Sequence, residues 1–161
     1  MSAAGPARRA AVTRDDWETP PDLFERLNAE FEFTLDAAAN AKNRKCVRYL
    51  GPGSPLDENA IGWFDFGPGE RIWCNPPYGK LGPWVRAFAT WARAGALVVA
   101  LLPNATDTRW FWEAAWTATE IRLVGGRIQF VGTTSSNPSG SIVAIWTPYM
   151  PPSGAHICTW R

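Results

Sequence analysis

An open α/β sheet, mostly parallel and with an antiparallel hairpin at one edge, is the fold this sequence predicts. Three observations carry it. Between about residues 21 and 117, apolar segments of strand length alternate with segments of helical periodicity. Ala96–Pro103 is an unbroken apolar run (ALVVALLP), which suits a strand buried on both faces of a parallel sheet. The last apolar runs are separated only by Gly125-Gly126 and by Asn137-Pro138-Ser139-Gly140, too little chain for crossover helices.

In chain order, Pro20-Pro21-Asp22 makes a helix entry, and Leu23, Phe24, Leu27 and Phe31 recur at helical spacing, so a helix is expected over Pro21–Phe31. Phe33–Asp36 reads as a short strand ending on an acid, and Val47–Leu50 as another. The glycines and prolines at 51–55 and 67–69 mark loops around Ile61–Phe66. Arg71–Cys74 is a strand that runs into Asn75-Pro76-Pro77-Tyr78-Gly79. Trp84, Val85, Phe88 and Trp91 define an amphipathic helix over Pro83–Arg93, closed by Gly95. After the Ala96–Pro103 strand, Thr108–Thr117 is helical, and Glu120–Val124, Ile128–Val131 and Ser141–Trp146 are the remaining strands. Residues 148–161 read as irregular.

The length of 161 residues fits one domain, here 15–148, preceded by a small, basic arm at 1–14 (Arg8, Arg9, Arg14) and followed by an irregular tail at 149–161. Ten tryptophans imply an aromatic core, with one or two left for stacking on a base or cofactor. The formal net charge is +1, so a nucleic-acid partner would be held by a local patch and not by a global field. The three cysteines, Cys46, Cys74 and Cys158, form no CxxC pair, and the single histidine, His156, lies near the end. A metal site, a disulfide framework and histidine-based nucleophilic catalysis are therefore not expected. No apolar run reaches membrane-spanning length and no signal peptide is visible, so a cytoplasmic protein is expected.

In open α/β sheets, ligands bind outside the carboxyl ends of the strands. Asp36 and Asn75 both sit at such ends. Two consecutive prolines after Asn75 fix φ and remove two backbone donors, leaving carbonyl acceptors on a stiff frame. The Asn75 amide oxygen and the Pro76 carbonyl together suit an –NH2 group. Hydrogen bonds accepted from that amine draw its lone pair out of conjugation, so that it can attack a methyl group. Tyr78 offers a flat face for a purine, worth about 1–3 kcal/mol for base–aromatic stacking. No charged base is needed.

The run Ile72-Trp73-Cys74-Asn75-Pro76-Pro77-Tyr78-Gly79 resembles the amino-methyltransferase signature. A wider set of stretches resembles the phage-type, Dam-like DNA N6-adenine methyltransferases: Trp17–Pro21 with Leu23-Phe24, Phe31–Ala39, Glu58–Ile61 with Trp63, Leu101–Pro103 through Thr106–Phe111, and Gly126–Phe130. Together they span roughly residues 16–147. The resemblance implies a Rossmann-like class I methyltransferase fold in compact form. It also implies S-adenosylmethionine as methyl donor and double-stranded DNA as partner, with the target base flipped out of the duplex, and suggests a phage setting of restriction evasion in a bacterial host cytoplasm. It places Asn75, Pro76, Pro77 and Tyr78 at the target amine. Trp17, Thr19, Pro20 and Asp36 fall on the cofactor side, with Asp57 and Asn59 as candidates for the adenosine half. Lys80, Arg109 and Arg127 are candidate DNA contacts. With no large insertion to read sequence, recognition is expected to be relaxed or very short. One departure stands out: Asp36 is followed by Ala37-Ala38-Ala39-Asn40 where most methyltransferases carry a glycine-rich turn. Two alternatives stay open. One is the same chemistry on cytosine N4, an RNA base or a protein glutamine; the other is a catalytically silent DNA-binding module of the same fold.

Overall fold

A computed structural model describes residues 17–52, 66–133, 138–149 and 153–161. Asp57, Asn59 and the basic arm at 1–14 lie outside these residues. The elements are α1 (Pro21–Phe31), β1 (Leu35–Asp36), β2 (Arg48–Tyr49), β3 (Arg71–Cys74), α2 (Leu81–Arg93), β4 (Leu97–Pro103), α3 (Arg109–Thr117), β5 (Glu120–Val124), β6 (Ser141–Trp146) and β7 (His156–Trp160). Among the described residues the strands form one sheet in the order β2-β1-β3-β4-β6-β5-β7. Only β6 runs against the rest: it pairs antiparallel with β4 and with β5, and all the other neighbours are parallel. The mostly parallel α/β sheet with an antiparallel part is the expected architecture.

Side-chain alternation along the central strands divides the core in two. Val98, Ala100 and Leu102 of β4, with Ile142, Ala144 and Trp146 of β6, pack under α2 and α3. Val99, Leu101, Val143 and Ile145 face the other way, toward Leu23, Phe24 and Leu27 of α1. Burial of each such aliphatic side chain is worth roughly 1.5–3 kcal/mol. Trp73, Trp91 and Trp146 are fully buried, and the Trp146 indole N–H is satisfied by the Thr117 hydroxyl at 3.0 Å. Helix α1 starts on Pro21 at its first position and ends on Glu32 in the left-handed region (φ 51°), whose N–H donates to the Asn28 carbonyl.

Two sequence expectations are corrected. Ile128–Val131 is not a strand: it makes a single antiparallel bridge, Val131 to Glu18. Its alternating pattern arises because Ile128 and Phe130 are buried in the α1-side core, whereas both edges of β5 are already taken by β6 and β7. The tail at 149–161 is not irregular. His156–Trp160 forms β7, parallel to β5 along its whole length. This strand covers an edge whose N–H and C=O groups would otherwise stand unpaired, and Trp160 carries the Arg26 guanidinium 4.2 Å from its ring centre. The antiparallel β5–β6 pair therefore lies one strand in from the edge, and the sheet extends through β7.

Candidate active site

The carboxyl ends of β1, β3 and β4 lie side by side, since these strands are parallel neighbours. Asp36 closes β1 and Asn75 follows β3 directly, so both reach the same edge of the sheet. The segment Trp17–Pro20 crosses this edge before α1 begins. It is pinned there by the Val131 N–H, which donates to the Glu18 carbonyl at 3.0 Å.

Asp36 is buried, only 3% exposed. Its two carboxylate oxygens accept backbone N–H groups from Ala38 (3.3 Å) and Lys45 (2.9 Å). The acid thus folds the chain after β1 back onto itself. Burial outweighs these hydrogen bonds and the nearby Lys45 charge, and pushes the Asp36 carboxyl up to about 6. The loop it organises presses against Gly51, whose φ is +145° and where an added Cβ would lie 1.9 Å from the Ala39 carbonyl oxygen. Glycine is required there because a second backbone passes within contact distance.

Asn75 is held differently. Its Nδ2 donates to the Trp17 carbonyl at 2.8 Å, while its Oδ1 is shut off from solvent and accepts no hydrogen bond among the described residues. The Tyr78 hydroxyl is likewise buried without a partner, and burial raises its pKa so that it stays protonated. Trp17 stacks on Phe130 (ring centres 4.9 Å apart, planes at 24°), and both rings meet Tyr78 nearly at right angles, at 6.2 and 6.3 Å. Orphaned buried acceptors are rare in folded proteins and call for a specific explanation. Burial also raises the thiols of Cys46 (to about 12) and Cys74 (well above the ordinary range), so neither is poised as a nucleophile.

Two adjoining cavities open beside these groups. One, of about 170 Å³, is lined by Ala37, Ala38, Ala39, Asn40, Asn43 and Asn75, among others. The second, of about 40 Å³, is lined by Trp17, Thr19, Asp36, Lys45 and Asn75, among others. They share Ala38, Asn43 and Asn75. Of the cofactor-side residues expected from sequence, Trp17, Thr19 and Asp36 therefore come together with Asn75. Pro20 does not: it lines a separate cavity of about 370 Å³ with Arg26, Arg127 and Trp160.

The cations expected to touch DNA do not converge on Asn75. Lys80 is the residue just before α2 and is exposed. Arg127 donates to the Pro138 carbonyl at 2.8 Å. Arg109 opens α3 and pairs with Glu113 at 3.1 Å, in a larger cavity of about 550 Å³ between α2 and α3 that also holds Trp112 and Trp116. The smaller cavities are the candidate site because buried Asp36 and Asn75, with its orphaned oxygen, line them, and neither residue lines the larger cavity. His156 begins β7, parallel to β5, and so lies at the opposite edge of the sheet from Asn75. Sequence reasoning did not find Phe130, Asn43 or the backbone of Lys45. Phe130 belonged to a stretch read as a strand, and the other two carry no local pattern. Among the described residues no group of three metal-ligating side chains occurs.

A family model described as DNA N-6-adenine-methyltransferase (Dam) matches residues 7–159. A DNA N-6-adenine-methyltransferase of Escherichia phage T1 is 30% identical over 111 residues, covering 68% of this chain and 44% of that protein. The chain thus spans less than half the length of this relative.

Proposed function

The chain belongs to the Dam family of DNA N-6-adenine-methyltransferases, and on that premise we propose that it transfers a methyl group from S-adenosylmethionine to the N6 amine of an adenine in double-stranded DNA. The sheet and its covering helices are a Rossmann-like methyltransferase fold. The observation that carries the reading is the Asn75 amide: its N–H end is occupied by the Trp17 carbonyl, and its buried oxygen has no partner among the described residues. An acceptor kept free beside a Pro-Pro frame suits an amine donor from outside the chain.

The residues present fit the cofactor. The small Ala37-Ala38-Ala39 side chains leave an open cavity next to Asn75, and Asp36 at the strand end lines the adjoining one, its oxygens engaged by the loop that walls the site. Thr19 is buried at the same cavity as Asp36. S-adenosylmethionine, when bound, supplies a methyl carbon on a sulfonium sulfur that departs as a neutral thioether. Asn75 Oδ1 and the Pro76 carbonyl accept the two N6–H groups of the target adenine. These contacts would draw the amine lone pair out of the ring's conjugation and aim it at the methyl carbon that the bound cofactor would supply, and the surplus N6 proton would pass to water. Such preorganised acceptors contribute most where charge develops in the transition state. Tyr78, fixed by the Trp17 and Phe130 rings, serves as the stacking face for the flipped base.

Lys80, Arg109 and Arg127 are proposed as peripheral contacts to the DNA backbone, each acting alone and not as one patch. Among the described residues no helix is long and apolar enough to cross a membrane. The phage relative leads us to place the chain in a bacterial host cytoplasm.

Methyl transfer from labelled S-adenosylmethionine to unmethylated duplex DNA, followed by nucleoside analysis, tests the reading. Label in N6-methyladenine is expected. Label in N4-methylcytosine, or in RNA or protein with none in DNA, would assign another amine to the same loop. Absence of cofactor binding would favour a silent binding module.

A further inference from the structure

We propose that Trp17 is a positioning residue: its backbone carbonyl sets the orientation of the Asn75 amide, and its ring, stacked on Phe130, holds that carbonyl in place. The inference rests on the function proposed above and deepens it.

An asparagine amide can turn over and exchange its oxygen for its nitrogen at little cost in shape. In one orientation Asn75 offers an acceptor to an incoming amine. In the other it offers –NH2 and repels that amine. The choice is made by what the far end of the amide meets. Here it meets the Trp17 carbonyl, an acceptor, at 2.8 Å. Only Nδ2 can face that carbonyl, so Oδ1 is the atom left unpartnered.

The carbonyl is useful only if it stays where it is. Trp17 lies 58 positions from Asn75 along the chain, so the contact depends on tertiary structure. Two features supply it. The indole lies on the Phe130 ring, 4.9 Å between centres and 24° between planes, and the next residue, Glu18, bridges to Val131. Both anchors come from the segment after β5. Trp17 and Phe130 each also meet the Tyr78 ring edge-on. The same stack therefore steadies the stacking face as well as the amide acceptor. Trp17 also lines the smaller cavity with Asp36, beside the residues that the sequence resemblance put on the cofactor side. Its hydrogen bond ties it in addition to the amine acceptor.

Trp17→Ala, Phe130→Ala and their double variant test this, with Trp17→Phe as the conservative replacement. Two readouts are needed: steady-state methyl transfer with separate cofactor affinity, and the nuclear magnetic resonance signal of the Asn75 side-chain amide, assigned by its loss in Asn75→Ala. Either alanine variant should lower kcat by roughly 10- to 100-fold, as expected of a lost near-attack geometry. The S-adenosylmethionine dissociation constant should stay within about twofold. The Asn75 amide protons should exchange slowly in the wild type, and either variant should abolish that protection. The double variant should be no worse than the poorer single, and Trp17→Phe should recover most of kcat. An unchanged Asn75 amide signal in Trp17→Ala would overturn the proposal. So would a weakened cofactor affinity with kcat intact at saturation, since Trp17 would then be a wall of the cofactor site. Should Trp17→Ala fail to fold, Trp17→Leu keeps an apolar side chain without the flat face and carries the same test. If the wild type transfers no methyl to DNA, the proposed function falls, and the amide signal still decides the positioning role.

Discussion

Asp36 and Asn75 stand at the carboxyl ends of neighbouring parallel strands and use their side chains in opposite ways. Asp36 is buried and spends both oxygens on its own chain, accepting the N–H groups of Ala38 and Lys45. Asn75 satisfies its nitrogen on Trp17 and leaves its oxygen bare. A buried polar group with its partners in place is explained by the fold that surrounds it. A buried acceptor without one costs the fold free energy, about 1–3 kcal/mol for a typical group, and so points to something outside the chain. Two polar residues at neighbouring strand ends thus differ: Asp36 shapes the loop that follows it, and under the proposed function the Asn75 oxygen is the one kept for the target amine.

The largest effect is expected from breaking the Asp36 side. Gly51→Ala places a Cβ 1.9 Å from the Ala39 carbonyl oxygen, at a φ of +145°. It should destabilise the protein by about 4 kcal/mol or more, the range reserved for severe steric and backbone conflicts. Urea unfolding of the variant beside wild type measures it; a midpoint unchanged from wild type would show that the loop yields freely.

The next effect sharpens the contrast through pH. The Asp36 carboxyl is raised from 3.8 to about 6, chiefly by burial. Between these values the folded protein holds a proton that the unfolded chain has lost. The contribution of this group to stability is therefore complete below about pH 4, falls as pH rises through 6, and is level above. The span is about 3 kcal/mol. Asp36→Asn removes the titration, so the stability of wild type relative to the variant should decline across this window and be flat beyond it. A flat difference from pH 4 to 7 would contradict the burial.

A smaller effect concerns the cofactor. If the ionised Asp36 meets the ammonium of S-adenosylmethionine, affinity should rise about tenfold from pH 5 to pH 7 as the carboxylate forms. Calorimetric titration at the two pH values checks this. An affinity that does not change would leave Asp36 with a purely structural part, on the far side of the comparison from any ligand.

The two residues were equally visible in the sequence, because each follows an apolar strand directly and the Asn-Pro-Pro-Tyr run is local. Helices α1 to α3 and strands β3 to β6 were legible for the same reason: their periodicity is written into consecutive residues. What escaped is non-local. Strand β7 follows proline-rich chain and shows little alternation, with Ile157 53% exposed, so its pairing with β5 could not be read from itself. Ile128 and Phe130 alternate like a strand because they bury toward α1, without a neighbouring strand to pair with. The partner of the Asn75 amide is a backbone carbonyl, which no side-chain pattern can announce. Pro20 was placed by resemblance and the three cations by elimination, as charged residues in loops, and the fold sets Pro20 and Arg127 at one cavity and Arg109 at another.

The most direct test sets function against stability at Asn75. Methyl transfer by Asn75→Ala, at saturating S-adenosylmethionine and duplex DNA, should be measured beside the thermal unfolding of the same sample. Removal of the reserved acceptor should lower kcat by about 100-fold or more, whereas stability should change by about 1 kcal/mol at most, the worth of the single bond to Trp17. Transfer that survives in Asn75→Ala, or a loss of transfer that merely follows an unfolded sample, would contradict the account.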